Sequence, residues 1–272
     1  MNLKNSIFYL FILQFLVVGC SDYNKVLKSE DYARKFELAN SYFDAEKYAQ
    51  AMALYEQVYQ RFPKQSEGEV AYFRLGKGYY LSKDYYMGGY FLGQFVSRFP
   101  FSTKVEEATF LSAMCSVNQS PNKSLDQTET QVAINNLQQF VDRFPNSELV
   151  DSCNRIMDRL QFKIESKSFD QVKQYSKTLN YRAAVTSAEI FLTNYPTSSY
   201  KEECEYILVN NSYLLTKNSI DSKKLERTEQ TLERYRNFAT NFPSSKYLKS
   251  LNTIKVEMEK LLVKLENLEA EK

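Results

Sequence analysis

The sequence contains no histidine and no tryptophan, although it carries 21 Tyr and 19 Phe among 272 residues. Without histidine the commonest general base and metal ligand is missing. Glycine is scarce as well, at seven positions, and six of these fall between Gly68 and Gly93. That clustering reads as close helix packing, and no glycine-rich phosphate loop is formed. Neither a Gly-x-Ser-x-Gly elbow nor a Cys-x-x-Cys pair occurs. The acidic pairs Glu106-Glu107 and Glu202-Glu203 stand at expected helix starts, where carboxylates favour the positive end of the helix dipole. No cofactor or metal is expected, and the chain reads as a non-enzyme. The formal charge is +2 with no basic stripe, which argues against nucleic acid as a partner.

Proline is equally rare, with six residues, and five of the six follow an aromatic residue. The pairs are Phe62-Pro63, Phe99-Pro100, Phe144-Pro145, Tyr195-Pro196 and Phe242-Pro243, so these prolines are spaced by 37, 45, 51 and 47 residues. The shortest interval lies close to the roughly 34-residue tetratricopeptide period, and internal repetition at about this length implies stacked helix pairs. Positions twelve, eight and five before the proline carry the core. They are Ala51, Tyr55 and Val58; Gly88, Leu92 and Phe95; Ala133, Leu137 and Phe140; Ala184, Ala188 and Phe191; and, more loosely, Thr231, Tyr235 and Phe238. A small residue admits the neighbouring helix, and the other two share its helical face. Proline then stops the helix and pushes the preceding residue out of helical geometry. Ser66, Ser102 or Thr103, Ser147, Thr197 or Ser198, and Ser244 stand where they can cap the next helix. On the first helices, Leu38, Ala39 and Tyr42 keep the spacing of Leu75, Gly76 and Tyr79. The competing explanation is an irregular bundle with coincidental prolines.

These features predict an all-α fold, a right-handed α-solenoid of five tetratricopeptide-like helix pairs with a C-terminal capping helix. The third repeat carries an extended polar loop across residues 118–126, and the stretch from Ser147 to Lys177, free of proline and glycine, reads as one or two long helices. After Pro243, Leu248, Leu251, Ile254, Met258, Leu261, Leu262, Leu265 and Leu268 recur at helical spacing. Solenoids need an end cap with a polar outer side, which this helix supplies; a coiled-coil partner is the alternative.

Lys4 is the single charged residue among the first nineteen, and an apolar run from Ile7 to Val18 follows it. The run is too short for a membrane span and suits the core of a secretion signal. It ends in Val17-Val18-Gly19-Cys20, which looks like a bacterial lipobox. Residues 1–19 would be cleaved, and Cys20 would carry a covalent diacylglycerol and an N-acyl lipid such as palmitate. Residues 20–30 would form a lipidated tether. The alternative is an ordinary signal peptide followed by a chance cysteine. Ser21, where inner-membrane retention signals often have Asp, favours the outer membrane, although Asp22 comes next. The other cysteines, Cys115, Cys153 and Cys204, are odd in number and lie in helical segments, so buried free thiols are expected before a disulfide framework.

Extending the repeat spacing places Phe36, Asn40 and Phe43 of repeat one on the concave surface, with Phe73, Lys77 and Tyr80 of repeat two and Phe110 and Met114 of repeat three. Such an aromatic row suits an extended or helical peptide bearing aromatic residues. Packing between repeats is the competing role for each ring.

A lipobox followed directly by five such repeats resembles the BamD family of outer-membrane assembly lipoproteins. The resemblance covers essentially the whole chain. Its most particular stretches are Cys20-Ser21-Asp22-Tyr23-Asn24-Lys25-Val26-Leu27-Lys28 and the loop from Ser120-Pro121 to Ser124-Leu125-Asp126-Gln127-Thr128. It implies a non-enzymatic role at the periplasmic face of the outer membrane. Repeats one to three (31–146) would take unfolded outer-membrane β-barrel proteins, and repeats four and five with the cap (147–272) would dock on the BamA periplasmic domains. A periplasmic scaffold for cell-envelope or division complexes is the alternative. Carbohydrate capture by a helical uptake lipoprotein is a third reading, but such proteins are usually far longer and use Trp.

Overall fold

A computed structural model of the chain describes residues 22–270. The signal segment 1–19 and Cys20 lie outside the described residues. Residues 22–28 are helical, and the helices that follow are α1 (Tyr32–Asp44), α2 (Tyr48–Arg61), α3 (Ser66–Leu81), α4 (Tyr85–Arg98), α5 (Val105–Gln119), α6 (Thr128–Arg143), α7 (Val150–Lys177), α8 (Tyr181–Asn194), α9 (Lys201–Lys217), α10 (Asp221–Asn241) and α11 (Leu248–Ala270). No strand occurs among the described residues. The helices form consecutive packed pairs, as the repeat spacing predicts: five pairs, then α11. Contacts divide the chain into two units, one ending at Leu160 and one beginning at Gln161, so the division falls within α7.

The aromatic-proline signature is one conformation used five times. Phe62, Phe99, Phe144, Tyr195 and Phe242 each end a helix with φ between −125° and −134° and ψ between 52° and 63°. Each donates its N–H to the carbonyl four residues earlier and accepts from the N–H three residues later. The following proline forbids helical ψ, so the chain must turn here. In four pairs the aromatic ring also packs on the ring four residues before it, with centroids 5.1–5.3 Å apart.

The serines after these prolines act differently from the expectation. The starts of α3, α5 and α9 have no side-chain cap. Instead Ser102, Ser147 and Ser198 accept from the N–H two residues on, inside the turn and before the helix begins. Ser245, rather than Ser244, does so ahead of α11. The turn needs its own N–H groups satisfied before the helix can start, and the hydroxyl is spent there. The same hydroxyls donate to carboxylates on the first helix of their own repeat: Ser102 to Glu69 at 2.6 Å, Ser147 to Glu106 at 2.6 Å and Ser198 to Glu165 at 2.5 Å. True side-chain caps come from Asp31 on α1 and Asp84 on α4.

In the first unit, Ala51, Leu54, Tyr55 and Val58 of α2 pack with Ala39 of α1 and Ala71 and Leu75 of α3. Val26 of the 22–28 segment joins this core, with Tyr23 and Leu27 beside it. Thus part of the expected tether is packed against the first pair. The next layer joins Leu92 and Phe95 to Ala108, Leu111 and Cys115, and a third joins Ala133, Leu137 and Phe140 to Cys153 and Leu160. Gly68 lies so close to the preceding turn that a Cβ there would stand 1.8 Å from the Phe62 carbonyl oxygen. The expected third-repeat loop runs between α5 and α6 and closes on one side chain. The Gln127 amide donates to the carbonyls of Asn122 and Leu125, each at 2.9 Å, while its Oε1 accepts from Thr130 at 2.8 Å.

In the second unit, Phe169 and Val172 of α7 pack with Val185, Ala188 and Phe191 of α8 and with Cys204, Ile207 and Leu208 of α9. The stretch 147–177 therefore contains one 28-residue helix. In the fifth pair Thr231 and Phe238 are buried as the spacing predicts, but Tyr235 is half-buried and Leu232 fills the core beside them. Tyr235 instead donates its hydroxyl to Asn252 of α11. Leu251, Ile254 and Met258 of α11 complete this core, whereas Leu268 is exposed.

Candidate functional site

The first helices of successive pairs touch one another, α1 with α3 and α3 with α5. These three helices carry the residues picked out by the repeat spacing. Phe36, Asn40, Phe43, Lys77, Tyr80, Phe110 and Met114 are all half-buried there, each with part of its surface open to solvent. Phe73 is different: it is 3% exposed, pairs with Phe95 at 5.4 Å, and lies beneath the ammonium groups of Lys104 and Lys77 at 5.1 and 5.9 Å. Its ring belongs to the second layer of the core and supports the face from below.

Between repeats one and two a polar network fixes the face. Tyr55 donates its hydroxyl to Asn40 Oδ1 at 2.7 Å, and Arg74 donates to that same oxygen at 2.9 Å and to the Tyr55 hydroxyl at 3.0 Å. The Arg74 guanidinium sits 5.2 Å from the centre of the Phe43 ring and 3.7 Å from Asp44 Oδ1. Burial pushes the Tyr55 phenol up to about 12 despite the Arg74 contact, which acts the other way. Among the described residues nothing accepts from Asn40 Nδ2.

Between repeats two and three the link is ionic, Lys77 Nζ to Glu107 at 2.6 Å. Tyr80 packs edge-on against Tyr85 at 5.9 Å, and burial raises its phenol. Phe110 packs edge-on against Phe140 at 5.6 Å, and the Met114 carbonyl accepts from Asn118. The arrangement offers aromatic and thioether surface, amide donors and anchored cations. It can hold a chain of mixed character, and its charges are already paired.

Sequence spacing missed Arg74, Tyr55, Asp44 and Glu107 as partners of these residues. Arg74 lies one position beyond the row shared by Phe36 and Phe73, so repeat offsets alone pass it by. The thiols stay out of this chemistry. Cys115, Cys153 and Cys204 are free and buried, and burial raises all three, Cys115 and Cys204 to about 12. No helix among the described residues is long and apolar enough to cross a membrane.

Comparison with known proteins agrees with this architecture. The model of the YfiO family, described as outer membrane lipoprotein, matches residues 29–164 and 162–270. A protein named outer membrane protein assembly factor BamD from Neisseria meningitidis serogroup B is 22% identical over 247 residues, covering 85% of this chain and 89% of that protein. A protein of the same name from Caulobacter vibrioides is 22% identical over 160 residues, covering 59% of this chain and 52% of that protein. With the family's model matched across nearly all of the described residues, the chain belongs to the YfiO family of outer membrane lipoproteins.

Proposed function

We propose that this chain is a non-enzymatic scaffold of outer-membrane protein assembly, held at the periplasmic face of the outer membrane by lipid on Cys20. The family match across residues 29–270, with two relatives named as assembly factors, carries this reading. Repeats one to three would present the α1–α3–α5 face to unfolded β-barrel proteins arriving for insertion. Repeats four and five with α11 would dock on the BamA periplasmic domains. The half-buried Phe36, Phe43, Tyr80, Phe110 and Met114 supply the apolar contacts an aromatic-ended peptide strand needs, and Asn40 supplies an amide for its backbone.

Peptides ending in an aromatic residue test the groove. Phe43→Ala combined with Tyr80→Ala should weaken their binding to the purified mature chain by about tenfold, a loss typical of truncating two aromatic anchors. Both rings are half-buried, so the fold survives their loss better than that of Phe73. Unchanged affinity would remove the groove assignment while leaving the family unaffected.

A further inference from the structure

A pocket of about 410 Å³ lies where the end of the 22–28 segment meets the start of α1 and the end of α2. It shares no residue with the proposed peptide groove. Three cations line it, Lys28, Lys35 and Arg61, against the single carboxylate of Glu30. Lys35 is the unusual member, because the residue is only 3% exposed. Its amine donates to Gln57 Oε1 at 2.6 Å and stands 4.7 Å from the centre of the Tyr32 ring.

A lysine ammonium has three donors, and a buried charge without a counter-charge lowers stability. Among the described residues none of the three cations is paired with a carboxylate. The Arg61 guanidinium is instead held over Tyr32 and Phe62 at 5.9 and 6.0 Å. A guanidinium presents a planar fork of donors, the geometry that suits phosphate oxygens. Gln60 adds an amide at the rim. The volume exceeds that of a bare phosphate and leaves room for a glycerol-sized substituent.

We propose that this pocket binds a phosphate group, and that the phosphate is the headgroup of an anionic lipid. Lys35 would supply the buried charge, Arg61 the paired donors and Lys28 the outer contact. The lipid source follows from position. Lys28 stands eight residues after Cys20, and eight residues span at most about 28 Å. A chain anchored at Cys20 therefore keeps this pocket within reach of the headgroup layer. Headgroup capture would also fix the orientation of the repeats above the membrane, which a lipid tether alone does not.

The test uses the full mature chain with Cys20→Ser, so that acyl chains contribute nothing. Glycerol 3-phosphate and inorganic phosphate are titrated by calorimetry, and flotation is measured with vesicles of phosphatidylethanolamine with and without phosphatidylglycerol. Glycerol 3-phosphate should bind, and phosphatidylglycerol should promote flotation. Lys35→Met and Arg61→Gln should each reduce both at least several-fold. Lys35→Met should keep or raise the melting temperature, since it removes an uncompensated buried charge. Lys64→Gln, outside the pocket, should change neither. Binding of inorganic phosphate without vesicle flotation would overturn the lipid source. Equal losses in Lys64→Gln would show diffuse attraction and overturn the site, as would well-folded pocket variants that bind like the parent chain.

Discussion

Among the described residues three other than glycine sit in the left-handed backbone region, and each closes the turn inside a helix pair: Glu46, Lys83 and Leu179, with φ of 58°, 65° and 59°. Each turn carries the same crossed pair of hydrogen bonds, as Glu46 N–H to Phe43 and Lys47 N–H to Tyr42 show for the first. A side chain in this region costs about 1 kcal/mol relative to glycine. Leu179 is 66% exposed and loses little packing on truncation. Leu179→Gly should therefore raise stability by about 1 kcal/mol, seen as a higher urea midpoint at unchanged slope. Gly68 makes the opposite case. Gly68→Ala forces a Cβ against the Phe62 carbonyl and should destabilise the first unit by about 1–3 kcal/mol in the same assay, as overpacking does.

One buried carboxylate sets a pH dependence. Glu205 on α9 is raised above its ordinary 4.5 by burial, and the Asn241 amide and Lys201 only partly oppose that. The folded state thus holds this proton more tightly than the unfolded chain. Its contribution is fully present below the ordinary value and is lost as pH rises through the raised one. Glu205→Gln should remove that downward slope in melting temperature above pH 4.5 while keeping a polar group facing Asn241. An unchanged slope would assign it to other groups.

At the scale of elements, the recurring device is a serine after the proline clasped to a glutamate on the first helix of the same repeat. The Ser102–Glu69 bond is partly buried, and coupling across it should be roughly 1.5 kcal/mol, the lower end for a hydrogen bond to a charged group. A double-mutant cycle of Ser102→Ala and Glu69→Gln measures it, and zero coupling would reduce the clasp to a bystander.

The same scale shows what the sequence made legible. Proline offsets marked Ala51, Leu92, Leu137 and Phe191 as core because packing between paired helices repeats with the chain. Those offsets also named the rows bearing Phe36, Asn40 and Phe43. They could not show that Phe73 is covered by Lys104, because that coverage comes from the next repeat along. Nor could they show that serines after the prolines serve the turn rather than the helix end. That outcome depends on which N–H groups the turn leaves unpaired, a geometric fact with no sequence motif. Arg74 and Lys35 escaped for the same reason, each being defined by hydrogen-bond partners 19 to 34 residues away.

At the scale of the whole molecule, two compact units carry two different surfaces. The first holds the aromatic row and the cationic pocket, and the second ends in α11 with Val256, Val263 and Leu268 exposed. On the proposed reading, the arriving chain and the standing partner would each take its own surface. A scaffold for division or envelope complexes would use the same repeats with different company. Affinity purification of the lipidated chain from detergent-solubilised outer membranes distinguishes the two. BamA should be the dominant partner, accompanied by outer-membrane β-barrel proteins; recovery of envelope or division proteins with no BamA would contradict the account.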